Sequence, residues 1–209
     1  MEDVLEVYHR PHDSRHPLVC LDETTKQLVG EAREPLPALP GRPAAFDNEY
    51  IRNGVGTLFM MVAPLEGWRQ VRVTQRRTSI DYAHCLRWLA EKRFPQAEKI
   101  VLVQDNLNTH QPASLYQAFA PEEAWRLLQR FEFHYTPKHG SWLNMAETEL
   151  SILQRQCLDQ RIPNMDTLEK ETSAWNNTRN HLAKSIHWRF TTADARIKLK
   201  KLYPSFHGE

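Results

Sequence analysis

The sequence is poor in the features that mark several large protein classes. It has only three cysteines, Cys20, Cys85 and Cys157, far apart and without a CxxC pair. That usage fits a reducing compartment and argues against a disulfide framework or a zinc ribbon. Its longest apolar runs, such as LFMMVA (Leu58–Ala63), fall far short of the roughly 20 residues needed to span a bilayer. No basic-then-apolar leader opens the chain, so no secretory signal is expected. There is no GxSxG, so Ser141 in HGSW does not read as a hydrolase nucleophile. No internal repeat or low-complexity tract is present. A strong net charge is also missing, since 27 Lys and Arg face 26 Asp and Glu, for a net of +1.

The 209 residues are 41% hydrophobic and include six Trp, enough for one large domain with a proper core. The charge is unevenly spread. Seven Lys or Arg between Arg179 and Lys201 meet one acid, Asp194, and Arg69, Arg72, Arg76 and Arg77 form a run with none. Such local basic faces suit a polyanion, although solvated surfaces look alike.

Along the chain, residues 1–17 read as a leader with a short helix near Met1–Tyr8. LVCLDETTKQLVG reads as a strand, a polar turn and a second strand. Pro35, Pro37, Pro40 and Pro43 then impose an extended excursion over about residues 34–52. Thr57–Ala63 and Arg69–Gln75 form a hairpin around Pro64–Trp68. Apolar residues spaced at three and four predict a helix over Ser79–Phe94, stopped by Pro95. Lys99–Gln104 and Phe131–Tyr135 are strands. Two short helices lie between them, the second over Pro121–Arg130 with Pro at its first position. A helix capped by Ser141 or Asn144 runs to about Gln156, and helical segments cover Met165–His187 and Thr191–Leu202. Strands first and αβ alternation afterwards imply an α/β fold, a mixed sheet with helices on its faces. We divide the chain into a leader at 1–17, a core at 18–160 and a helical C-terminal region at 161–209.

Two apolar strands end in an aspartate. In VCLDE, alternation puts Cys20 and Asp22 on one face; in VLVQD it puts Val101, Val103 and Asp105 together. If the strands are neighbours the two carboxylates lie close, and a proton or a hard cation must offset their repulsion. A third acid is available in SWLNMAETELSIL. Leu143, Ala146, Leu150 and Leu153 form its apolar face, and Glu147 and Glu149 flank it on opposite sides, so periodicity leaves either open. Three such carboxylates support two-cation activation of a water or a 3′-hydroxyl against a phosphodiester. Taken singly, each acid also has a turn or capping explanation.

QDNLNTH followed by YTPKHGSWLNMAETELSIL, then RQCLDQRIPN and FTTADARIKLKKLYP, resembles the catalytic domain of the IS630/Tc1/mariner superfamily of DDE transposases, and most closely its bacterial IS630 branch. The resemblance implies an RNase H-like mixed five-stranded sheet flanked by helices, with a C-terminal helical extension. It implies Asp22, Asp105 and Glu147 as the catalytic, metal-holding acids, with Mg²⁺ or Mn²⁺, two ions, as cofactor. It implies DNA transposition and recombination: endonuclease cleavage at transposon ends and strand transfer into target DNA, usually at TA. Asn106, Asn108, His110, Lys138, His139, Arg76 and Arg77 are the candidate DNA contacts. A homodimer or an assembly with another transposase copy, no membrane, and a cytoplasmic, nucleoid-associated location follow. The 41 residues between Asp105 and Glu147 exceed the usual spacing, and we place an extra helix at Pro121–Arg130 there. The family's N-terminal helix-turn-helix region is missing ahead of this catalytic domain, so the chain is expected to be a truncated copy, one part of a split frame or a repurposed remnant, and is not expected to recognise transposon ends alone. The alternative is an idle remnant that binds DNA or another transposase.

Overall fold

The structure is a computed structural model that describes residues 1–34, 36–43, 47–138 and 140–203. Helix α1 (Glu2–Tyr8) precedes strands β1 (Leu18–Glu31), β2 (Tyr50–Ala63) and β3 (Trp68–Thr74). Helix α2 (Ser79–Trp88), β4 (Ile100–Gln104), α3 (Ala113–Ala118), α4 (Pro121–Leu128) and β5 (Phe131–Tyr135) follow. Helices α5 (Met145–Leu153), α6 (Met165–Leu182) and α7 (Thr192–Lys198) come last among the described helices. The five strands form one mixed sheet in the order β3-β2-β1-β4-β5, antiparallel as far as β1 and parallel from β1 to β5. No described helix is long and apolar enough to cross a membrane. The described cysteines are free and buried.

Strand alternation builds two cores. Cys20, Met60, Val62, Val101 and Val103 face α1, α5 and α6, meeting Leu5, Leu143, Ala146, Leu153 and Leu168. Val19, Leu21, Phe59, Met61 and Leu102 face the other way, onto Tyr82, Leu86, Leu115 and Leu127 of α2, α3 and α4. Helix α1 is an integral part of the first core: Val4, Leu5, Val7 and Tyr8 are all buried, and the Tyr8 hydroxyl donates to the Leu143 carbonyl at 2.6 Å.

Three local readings change. The polar turn expected within LVCLDETTKQLVG does not form, and β1 is one strand of 14 residues. Its polar stretch holds β-branched residues and no Gly, Pro or Asn, so alternation continues while Thr24–Leu28 pair with Leu58–Gly54 of β2. Strand β2 accordingly starts at Tyr50, inside the region assigned to the proline excursion. Of that excursion, Pro35 and residues 44–46 lie outside the described residues. The predicted helices at Pro121 and Met165 both form, the second ending at Leu182.

Helix α6 covers the outer edge of β3. Asn176 accepts from the Val71 N–H, and Asn180 both accepts from the Arg69 N–H and donates to its carbonyl. Two asparagines one helical turn apart thus satisfy an edge that would otherwise be open to pairing. Where α6 ends, Ala183 takes a left-handed φ of 43°, and its carbonyl lies against Gly67, itself at φ 62°. Only glycine suits position 67, since a Cβ there would collide with the Ala183 backbone.

Arg69 departs from its expected surface role. Its side chain is 1% exposed and its Nε lies 3.1 Å from Glu149 Oε2, while Arg179 donates to the same carboxylate at 2.8 Å. This cluster ties β3, α5 and α6 together. Removing the carboxylate leaves Arg69 charged and buried, so Glu149→Leu should lower the unfolding free energy by about 3–5 kcal/mol. Urea denaturation measures this, and a loss below about 1 kcal/mol would contradict the buried pairing.

Candidate active site

The site forms where β1 and β4 part. These parallel strands pair through Leu18–Val101, Val19–Leu102 and Cys20–Val103. Asp22 and Asp105 each lie two residues beyond the last pair, so the register puts them opposite one another on adjacent strand paths. Glu147 comes from the first turn of α5, where a carboxylate is favoured by the helix dipole. Asp22 and Glu147 line one open groove of about 550 Å³, together with the main chain at Glu23 and with Thr24, Leu150, Ser151, Gln154 and Arg155. Asp105 opens on an adjoining recess of about 330 Å³ with Asn106, Leu107, Thr136, Pro137, Lys138 and Ser141.

Periodicity left Glu147 and Glu149 open; the structure gives them different surroundings. Glu147 is half-buried on the groove, and Glu149 is buried against Arg69 and Arg179. Asn144 connects α5 to β1. Its side chain accepts from the Ala146 N–H, so the helix is capped without the Glu147 carboxylate. Its amide donates to the Leu21 carbonyl at 2.8 Å and to Asp22 Oδ2 at 3.2 Å. The other Asp22 oxygen accepts from the Glu23 N–H at 2.8 Å. Burial pushes the Asp22 carboxyl up to about 7; the charges of Asp105, Glu23 and Glu147 add to this, and the Glu23 N–H offsets part of it.

A second group of residues lies under the first. Glu23 follows Asp22 and therefore points to the opposite face of the sheet. There its carboxylate lies 2.8 Å from Nε2 of His110, whose Nδ1 bonds Asp105, and 3.3 Å from Arg77. Burial opposes protonation of His110, but its bonds to Asp105 and Glu23 prevail and lift its pKa to about 9.

The other predicted contacts separate into groups. Asn106 and Lys138 share the recess with Asp105. Asn108 and Arg76 are exposed, and Arg77 is exposed with its guanidinium turned to Glu23. His110 is fully buried and offers no surface to a phosphate. His139 lies outside the described residues. Trp142 is 44% exposed and stacks on Trp188. Sequence reasoning missed Glu23 and Asn144 as partners of the site. The available signal for Glu23 was a carboxylate on a strand face otherwise filled by Val19 and Leu21, which demands a buried partner.

The donor set of Asp22, Asp105 and Glu147 is all oxygen, which suits a hard divalent cation. Among the described residues, no three His, Cys, Asp or Glu side chains close into a metal-sized cluster. Two acids on one groove with the third beside it still fit Mg²⁺ or Mn²⁺, which take few protein carboxylates and complete their shell with water and phosphate.

A family model described as DDE superfamily endonuclease matches residues 17–169. No curated protein matches the chain. Among solved structures, the Mos1 mariner paired-end complex with Mn is 20% identical with a TM-score of 0.53, over 84% of this chain and 52% of that one. The Mos1 strand transfer complex is 17% identical at a TM-score of 0.55, covering 87% and 53%. The simian T-cell lymphotropic virus intasome in complex with PP2A regulatory subunit B56 gamma is 17% identical at 0.51, covering 96% and 61%. This chain thus spans between half and three-fifths of the length of the structures it matches. The likeness is one of fold, and the mixed five-stranded sheet with helices on both faces is the RNase H-like fold that the sequence resemblance implied.

Ionised Asp22 opposes folding, because its folded value of about 7 lies above its ordinary 3.8. Its contribution is therefore harmless below the unfolded value and grows as pH rises towards the folded one. In chelator, stability should fall by on the order of 3 kcal/mol between about pH 4 and pH 6.5, below the range in which His110 contributes, and Asp22→Asn should remove that fall. Denaturant midpoints of both proteins across this range measure the difference; parallel curves would exclude charge burial at Asp22.

Proposed function

We propose that this chain, which belongs to the DDE superfamily endonuclease family, carries the catalytic site of a transposase of the IS630 branch, with Asp22, Asp105 and Glu147 as its metal-holding acids. The observation that carries this is the convergence of distant residues. Asp22 and Glu147, from the first strand and the fifth helix, share one groove, and Asp105 stands in register with Asp22 on the neighbouring strand. Residues 18–160 are read as the catalytic unit, flanked by segments 1–17 and 161–209.

The reaction is cleavage of a DNA strand by water, followed by attack of a freed 3′-hydroxyl on target DNA. When bound, Mg²⁺ or Mn²⁺, two ions in this reading, supply the positive charge that eases deprotonation of the attacking oxygen and stabilises the leaving one. The chain's own residues hold and orient. Asn144 fixes the Asp22 carboxylate from the side of α5. Lys138 and Asn106, beside Asp105, are placed to take a backbone phosphate, as are exposed Arg76 and Asn108; such contacts position DNA without reading its sequence. Transposon ends, a TA-containing target, and a homodimer or an assembly with another transposase copy are the partners this function calls for. A bacterial cytoplasmic, nucleoid-associated setting follows from it. No observation favours the idle-remnant alternative.

Asp22→Asn, Asp105→Asn and Glu147→Gln should each reduce Mn²⁺-dependent nicking of supercoiled DNA by at least about 10³-fold, with circular dichroism unchanged. Chelation should abolish nicking in the parent chain. Nicking that survives in all three variants would end the proposal, and DNA binding with no nicking in the parent chain would favour the idle remnant.

A further inference from the structure

We propose that Glu23 and His110 are a positioning pair that aims Asp105 into the recess it lines. The inference rests on the reading of Asp22, Asp105 and Glu147 as cation-holding acids. Neither residue of the pair touches substrate, because the Glu23 side chain is 1% exposed and that of His110 is not exposed at all.

The pairing follows from strand alternation. Asp22 faces the groove, so Glu23 enters the apolar layer formed by Leu21, Phe59 and Tyr82. A carboxylate buried there requires a cationic or donor partner. His110 fills that role from the loop after β4, with Nε2 at 2.8 Å from Glu23 Oε2. Its other nitrogen, Nδ1, bonds Oδ1 of Asp105. The ring thus stands between the two carboxylates, hydrogen-bonded to Asp105 through Nδ1 and in close contact with Glu23 through Nε2.

The ring has little freedom to leave this position. It packs on Tyr82 with centroids 4.8 Å apart. The backbone beneath it is held as well: Gln104 donates to the His110 carbonyl at 2.8 Å, and Tyr82 donates to Gln104 at 2.7 Å. Arg77 closes the outer side of Glu23 at 3.3 Å. One Asp105 oxygen is therefore fixed from behind, which leaves the other for the recess. Adjacent residues of β1 thus serve both aspartates, Asp22 directly and Glu23 by way of His110. Hydrogen-bonded partners of ligating carboxylates commonly matter 10–100-fold for metal affinity.

Mn²⁺ binding to the full chain, followed by electron paramagnetic resonance without DNA, tests this apart from activity. In His110→Asn the amide nitrogen replaces Nδ1 and keeps the bond to Asp105 while giving up Glu23, so affinity should fall by less than about tenfold. In His110→Gln the amide replaces Nε2, keeps Glu23 and releases Asp105, so affinity should fall about 10–100-fold. Urea denaturation establishes that each variant is folded. Equal Mn²⁺ affinity in the two folded variants would overturn the proposal. If His110→Gln does not fold, near-isosteric Glu23→Gln decides: a loss of up to about tenfold supports the pair, and unchanged affinity overturns it. Asp105→Asn separates the two levels of inference. If it binds Mn²⁺ like the parent, the reading of the acids fails and the pair falls with it; if it does not, the His110 variants judge the pair alone.

Discussion

Three residue pairs of parallel sheet, Leu18–Val101, Val19–Leu102 and Cys20–Val103, hold β1 against β4. Everything at the site is measured from this contact. Neighbouring strands run about 4.8 Å apart, so any residues in step just beyond the pairing emerge side by side. Asp22 and Asp105 are in step. A slip of one residue would turn one of them to the opposite face, where Glu23 and His110 now lie. The apolar residues that fill both layers around these strands therefore also fix the register of the acids.

The third acid depends on a different constraint, the rotation of α5 about its axis. Two steps along a helix turn a side chain through about 200°, so Glu147 and Glu149 cannot share a direction. Glu149 is held by Arg69 on β3 and Arg179 on α6. Asn144 holds the helix start to β1 through the Leu21 carbonyl. With the helix anchored at both places and its apolar face sunk in the core, Glu147 is left on the groove. A buried ion cluster is weak evidence of stability, since apolar residues of similar volume often do as well. Its directional bonds explain its presence better, because an apolar contact would tolerate rotation that a bifurcated carboxylate does not.

Much of this was legible in the sequence, and the reasons are physical. Alternation in VCLDE and VLVQD assigned both aspartates to the correct face because a strand has a fixed period and both faces of this sheet are apolar. Helices announced by Pro121 and Asn144 form where those residues stand, because such start signals are local. The uninterrupted β1 was hidden because polar residues in a strand that runs on past β4, paired with β2 alone, resemble a turn. The partner of Arg69 was hidden because its carboxylate lies 80 residues away. Charge counting read the Arg69–Arg77 run as surface, yet the structure divides it between a buried ion cluster, a partner of Glu23 and open solvent.

The groove carries an energetic conflict that the rest of the fold must hold in check. Asp22 is buried, and Asp105, Glu23 and Glu147 all bear on it with the same sign. A sequence selected for stability alone would place an amide or an apolar residue there. The surrounding groups do not neutralise Asp22; they orient it. The Glu23 N–H and the Asn144 amide each take one oxygen, and neither brings a charge. Cationic partners are instead supplied one layer away, with His110 and Arg77 on Glu23 and Arg69 and Arg179 on Glu149. Among the described residues, Glu23 and Glu149 each have cationic side chains beside them, while Asp22 and Glu147 face the groove without one. That division separates Glu147 from Glu149 and Asp22 from Glu23 more sharply than spacing or burial does, since each couple lies on one element within two residues.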